Sequence, residues 1–233
     1  MSLKAIFFFF SIFLFSINSF SQVFRAGFTL GGVASDIPGM DTRDHDVDYN
    51  KLGFTIGGLV NTSLNEKNKL QMEINFIQKG SSQPPDSNNN GSFRLILNYI
   101  EVPLIYRHRL QFNVRKKPVT SFELECGASY GRVYSMKFYD YTNTLQAIPP
   151  GSINLNDISL LAGLEYSITP NFLFCVRYSN SLIPVIVQDP LPPGYPRLPF
   201  IFYTFNHGDN VVIQFSLKFI FGPSGNEIKS NDQ

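Results

Sequence analysis

LNYIEVPLIYRHRL (residues 97–110) mixes residues suited to a core with residues suited to solvent. Leu97, Ile100, Val102, Leu104 and Ile105 are apolar, yet Glu101, Pro103, Arg107 and Arg109 stand among them. Read with a period of two, the mixture separates. Ile100, Val102, Leu104 and Tyr106 share one face of an extended strand; Tyr99, Glu101, Pro103, Arg107 and, nearer the strand end, Arg109 share the other. Pro103 has no N–H to give a neighbouring strand, so a bulge or a local break is expected there.

The same period recurs along the chain. In residues 211–221, Val211, Ile213, Phe215, Leu217, Phe219 and Phe221 alternate with Gln214, Ser216 and Lys218, and Leu70, Met72, Ile74 and Phe76 alternate with Gln71, Glu73, Asn75 and Ile77. Residues 24–30, 54–60, 122–130, 158–168 and 172–178 behave alike, and no helical period competes. About eight strands result, an even number as bacterial single-chain barrels have. Long connections (35–50, 81–92, 137–151, 184–209) alternate with short ones around 65–68 and 169–171, while QFNVRKKP (111–118) is of middling length. Such alternation is expected where loops face the exterior and turns face the periplasm.

Alternation alone fits either a soluble lipocalin-like barrel, apolar inside, or a membrane barrel, apolar outside. Glycines on the polar face, Gly27, Gly31, Gly57, Gly127 and Gly163, weaken a solvated strand but make room in a narrow barrel interior. That face also carries Arg25, Lys79, Arg107, Arg177 and Lys218 together with Glu73, Glu101, Glu123, Glu125 and Glu165. In a lumen only wide enough to be filled by side chains these charges must pair, which predicts an internal ion network and a plugged interior. On the apolar face, Phe24, Tyr106, Phe122, Tyr166, Phe172 and Phe219 gather at the periplasmic strand ends, as an interfacial girdle requires.

Nineteen Lys plus Arg against eighteen Asp plus Glu leave no basic excess, which argues against a nucleic-acid partner. The N-terminus, MSLKAIFFFFSIFLFSINSFSQ, has a positive residue, an apolar run and a small polar stretch, the pattern of a secretory signal peptide over residues 1–21. The apolar run is shorter than the roughly 20 residues that cross a bilayer as a helix.

The segments FRAGFTLGG, KLGFTIGGLVNTSLNEKNKLQMEINFIQKG, LNYIEVPLIYRHRL, FELECGASYGRVYS and LAGLEYSITPNFLFCVRYSNSLIPV together resemble the PorT-like outer-membrane β-barrel family of Bacteroidetes. The resemblance spans residues 23–221, with NYIEVPL as its most specific element. It implies an outer-membrane barrel without an assigned activity, linked through the founding member to type IX secretion and gliding.

Other chemistry is sparse. Asp44, Asp46 and Asp48 have the spacing that opens a calcium loop, but Tyr49 and Thr55 stand where such a loop needs Gly and Glu, so a solvated outer loop is expected. His45, His108 and His207 are scattered without a G-x-S-x-G or H-E-x-x-H motif. A rim enzyme acting on lipid would need His45 or His207 to meet a serine there. Cys126 and Cys175 fall on opposite faces, so free thiols are expected. Within the Pro-rich last loop, Phe200, Phe202, Tyr203 and Phe205 form the candidate partner-contact patch.

The expected molecule is thus an all-β, eight-stranded antiparallel up-and-down transmembrane barrel over residues 22–222, with a polar tail over 223–233. It is expected to be exported to the outer membrane, monomeric, non-enzymatic and free of cofactor and metal. Its expected partners are outer-membrane lipid and a protein reached through the extracellular loops.

Overall fold

The structure, a computed structural model, describes residues 24–38, 48–84, 92–114, 117–119, 121–141, 153–186 and 208–222. Among the described residues ten strands form: β1 (Phe24–Asp36), β2 (Lys51–Ser63), β3 (Asn68–Gln83), β4 (Phe93–Arg109), β5 (Phe112–Val114), β6 (Lys117–Val119), β7 (Phe122–Asp140), β8 (Asn156–Ser167), β9 (Phe172–Ser181) and β10 (Val211–Ile220). Eight of them close into one antiparallel barrel in the ring order β1, β10, β9, β8, β7, β4, β3, β2. Each barrel strand therefore pairs with its neighbours along the chain, and β10 closes the ring on β1. The pair β5–β6 is a small hairpin of three-residue strands inside the connection read from sequence as a plain loop. Strands that short carry too few residues to show a period.

The pairing also sets the barrel's stagger. From Ala26 it runs through Val60, Met72, Leu104, Ala128, Leu160, Asn180 and Val211 and returns to β1 at Asp36, ten residues further on. Eight strands with such a stagger tilt steeply and enclose a lumen about one layer of side chains wide. Gly127 illustrates the tightness: a Cβ there would meet the Leu104 carbonyl oxygen of the adjacent strand.

Along most of its height the wall is apolar outside and polar inside. Leu30, Ile56, Ile74, Leu104, Leu160 and Leu217 are exposed, whereas Thr29, Thr55, Glu73, Asn75, Glu125 and Lys218 are buried. This is the polarity of a transmembrane barrel rather than a lipocalin-like one. Aromatic residues ring the end with short turns: Phe28 stacks on Phe219 at 5.5 Å, Phe122 packs on Tyr166 at 4.9 Å, and Phe172 pairs with Phe219. A second aromatic group, absent from the sequence reading, lies nearer the long loops, where Phe76 contacts Phe54 at 5.2 Å and Tyr134 at 5.6 Å.

Toward the end with long loops the polarity reverses. Leu95, Leu97 and Tyr99 point inward and are buried, joining Val33, Ile37, Ile77, Val133, Val185 and Val212 in apolar packing, and buried Phe93 stacks on Phe138 at its edge. The reason is length. β3, β4 and β7 have 16, 17 and 19 residues, against the roughly 9–11 that cross a bilayer. Their outer ends stand in water and take the apolar-inside pattern of a soluble protein.

Pro103 keeps its register with Ser129 on β7, and the bulge between those strands falls at Asn98/Tyr99 instead. On the other side, pairing with β3 skips from Met72–Leu104 to Asn75–Glu101. The missing N–H is thus absorbed by a local break opposite Glu73 and Ile74.

Leu160 shares a lipid-facing row with Met72 and Leu104. Leu160→Arg is expected to lower folding stability by about 2–4 kcal/mol, as a cation does near the bilayer midplane. The urea midpoint for folding into lipid vesicles measures it.

Candidate functional site: the ions inside the barrel

Six consecutive strands of the ring each contribute a charged side chain to one central cluster in the lumen: Lys218 on β10, Arg177 on β9, Glu165 on β8, Glu125 on β7, Arg107 on β4 and Glu73 on β3. Alternation along each strand turns these residues inward, and the stagger brings them together. Arg177 grips Glu73 with two parallel hydrogen bonds, Nη1 to Oε2 at 3.0 Å and Nη2 to Oε1 at 2.9 Å. It also donates from Nε and Nη2 to Glu125 Oε2 at 3.2 and 3.0 Å. β9 and β3 stand four places apart in the ring of eight, so this contact spans the lumen.

Lys218 Nζ donates to Glu125 Oε1 at 2.6 Å and Glu165 Oε2 at 2.8 Å, and lies 3.5 Å from Glu73 Oε1. Arg107 pairs with Glu165 and, at 2.8 Å, with Glu123, and donates to Gln71 at 2.6 Å. Glu123 also binds Lys69 at 2.7 Å and Arg109 at 3.4 Å near the short-turn end. Gln71 and Asn75 hydrogen-bond the two Glu73 oxygens at 2.6 and 2.7 Å. Charge-assisted and bidentate bonds of this kind are the strong ones, and burial makes breaking one costly.

Lys79 and Glu101 belong to a separate cluster toward the long loops. Lys79 pairs with Glu101 at 2.6 Å and with Asp157 at 3.2 Å, and its ammonium lies 5.1 Å from the centre of the Tyr99 ring. Asp157 also accepts from Ser159, Ser181 and Asn210. Asp157 and Asn210 were not foreseen, because each stands at the edge of a strand where alternation fades into loop sequence.

Arg25 departs from the expectation. It turns to the short-turn rim, where Nε and Nη2 donate to the carbonyls of Phe221 and Gly222 at 3.4 and 3.2 Å. Being the second residue of its strand, it reaches the rim more readily than the axis.

Glu125, Glu165 and Cys175 place one oxygen or sulfur each within 4.8 Å of one another, a spacing that suits a metal. The cation between the two carboxylates is Lys218, and Cys175 Sγ donates to Glu125 at 3.3 Å. Cys126 is exposed and Cys175 buried, both as free thiols. His108 sits at the short-turn end of β4, 2.7 Å from Asn68 Oδ1. Asp44, His45, Asp46, His207 and the loop residues Phe200, Phe202, Tyr203 and Phe205 lie outside the described residues.

Closed pairing, outward apolar residues and a charged interior define the class as a membrane-spanning β-barrel. The family described as outer membrane protein beta-barrel domain matches residues 18–187, and the chain belongs to it. It is thus an outer-membrane barrel. No curated protein matches the chain. Among solved structures it is similar to Ail, the attachment invasion locus protein of Yersinia pestis, at 12% identity over 84% of this chain and 98% of that one, with a TM-score of 0.42. It is also similar to CarO of Acinetobacter baumannii at 11% identity, over 83% and 97% of the two chains, TM-score 0.40. The neisserial surface protein A shows 11% identity over 85% and 97%, TM-score 0.39.

Arg177→Met is expected to lower stability by about 3–5 kcal/mol, because it leaves two buried carboxylates short of a partner. Arg25→Gln, at the rim, should change it by less than about 1 kcal/mol. Urea titration of both variants in the same lipid compares them directly.

Asp209, just before β10, is buried with neither carboxylate oxygen hydrogen-bonded, and burial beside Asp157 pushes its carboxyl up to about 7. The folded state therefore holds a proton that the unfolded chain has released, and stability falls as pH rises from about 4 to 7. Asp209→Asn should raise the unfolding midpoint at pH 8 and leave it unchanged below pH 4.

Proposed function

We propose that this barrel conducts nothing through its lumen and works by its surface, as a non-enzymatic structural or interaction protein of the outer membrane. The supporting observation is the Arg177–Glu73 contact, made between opposite strands and tied to Glu125 and Lys218. A lumen this narrow, crossed at mid-height by paired side chains, leaves little room for an ion path. The apolar cluster toward the long loops supports closure from the other side.

The finer assignment to the PorT-like branch rests on the NYIEVPL run and the segments around it, and with it comes the reading of an accessory to secretion. The signal-peptide pattern of residues 1–21 supports export, and the extracellular loops are the reading's contact surface for a protein partner. A self-contained ring of eight strands supports a monomer.

Reconstitution into planar bilayers tests the closed lumen. The wild type should show no steady conductance, while the Glu73→Ala/Arg177→Ala double variant should show ion-permeable openings. A steady wild-type conductance would overturn the reading.

A further inference from the structure

At the end with long loops, β7 outruns one of its two neighbours. Its ladder with β8 ends where Arg132 faces Asn156, and the next bond, from Val133 N–H to the Leu155 carbonyl, is the last. The residues before β8 leave the wall there: Asn154 N–H donates to the Val185 carbonyl, and Ile153 bridges to Ile186. β7 itself runs on to Asp140, paired along its other side with β4 as far as Phe93. Among the described residues no strand pairs with residues 134–140 on the β8 side. That end carries the long loops and so faces the exterior.

The register tells which backbone groups the open side offers. Tyr141 N–H donates to the Ser92 carbonyl, and opposed residues of an antiparallel pair exchange bonds at every second position, so Ser135, Lys137 and Tyr139 turn their polar groups to β4. Met136 and Phe138 turn theirs the other way, to the side without a strand. In the inward rows Met136 stands opposite Leu97 and Phe138 opposite Leu95. Leu97 is 0% exposed while Met136 is 47% exposed, as expected of an inward residue that no further strand flanks. On the outer face Lys137 is exposed, and Arg94 stands opposite Tyr139 one residue further along β7 than the Phe138–Leu95 row. Among the described residues neither Lys137 nor Arg94 has an ion-pair partner.

We propose that the open edge of β7 over residues 135–139 docks an extended, acid-bearing segment of an exterior protein partner, which adds to the wall as a further strand. The unpaired N–H and C=O groups of Met136 and Phe138 select a peptide backbone. Lys137 and Arg94 select carboxylates on its outer face, and half-exposed Met136 selects apolar side chains on its inner face. A second copy of the chain would bring the same two cations to the edge, and like charges set across a strand pair repel. The chain's own connecting segment, TNTLQAIPPGS (142–152), has no acid to answer them. The proposal rests on the reading that the barrel works by its surface, and not on the closed lumen.

The test titrates the full barrel, in zwitterionic micelles, with a labelled peptide of alternating valine and glutamate, acetyl-VEVEVEV-amide. Fluorescence anisotropy reads binding, and amide hydrogen exchange reads where the peptide lies. Exchange at Met136 and Phe138 should be fast in the free barrel and slow in the peptide-saturated one. The lysine counterpart, acetyl-VKVKVKV-amide, should not bind. Met136→Pro removes an N–H that β4 does not use, so it should fold, as prolines on edge strands allow, and bind the glutamate peptide roughly tenfold more weakly. Should it fail to fold, exposed Lys137→Glu should weaken binding about fivefold. Slow exchange in the peptide-free barrel would put the chain's own segment on the edge, and protection that grows with barrel concentration would put a second copy there. Either result, no binding of the glutamate peptide, equal binding of the lysine peptide, or undiminished binding by the folded variant would overturn the proposal. Bilayer conductance is read separately, so a leaking lumen leaves the edge site standing and a failed titration leaves the closed lumen standing.

Discussion

The central ion network of this barrel is arranged around the Arg177 guanidinium, held from the opposite wall by Glu73 and from the side by Glu125. A ten-residue stagger over eight strands leaves an interior that side chains must fill. Charges placed there are stripped of water, and each is tolerable only with a partner. That requirement explains why Lys218 bridges Glu125 and Glu165, and why Gln71 and Asn75 turn their amides to Glu73. Inward glycine follows from the same confinement: at Gly127 the strands run too close for a Cβ.

The outer surface obeys a different solvent. Over the hydrocarbon depth it exposes Leu30, Ile56, Leu104, Leu160 and Leu217, where contact with lipid costs nothing. A one-residue slip of any strand would exchange the two sets, sending Glu125 or Arg177 into lipid, so the ion network and the apolar belt together hold the register. Above the bilayer the rule inverts because the solvent does. Leu95 and Leu97 turn inward, and Arg94 and Asn98 turn outward, on the same strand that carries Glu101 and Arg107 inward below.

Much of this was legible from alternation alone. The opening segment assigned Ile100, Val102, Leu104 and Tyr106 to lipid and Tyr99, Glu101 and Arg107 to the lumen, and the burial of each residue agrees. Arg25 was misread because alternation reports which face a residue occupies and says nothing of height: a long side chain near a strand end can reach the rim instead of the axis. Height also separates Lys79 and Glu101 from the ions below them. Pro103 signalled an irregularity, yet whether a bulge or a skipped pair absorbs it depends on both neighbouring strands.

The sequence by itself determined the number of barrel strands, the ring of consecutive antiparallel pairs and the side their residues face, because those follow from a period of two and from connection length. Tertiary structure alone decided which acid meets which base and where the polarity reverses. Those depend on the stagger between strands, which brings together residues as distant in sequence as Glu73 and Arg177 and is written in no single strand.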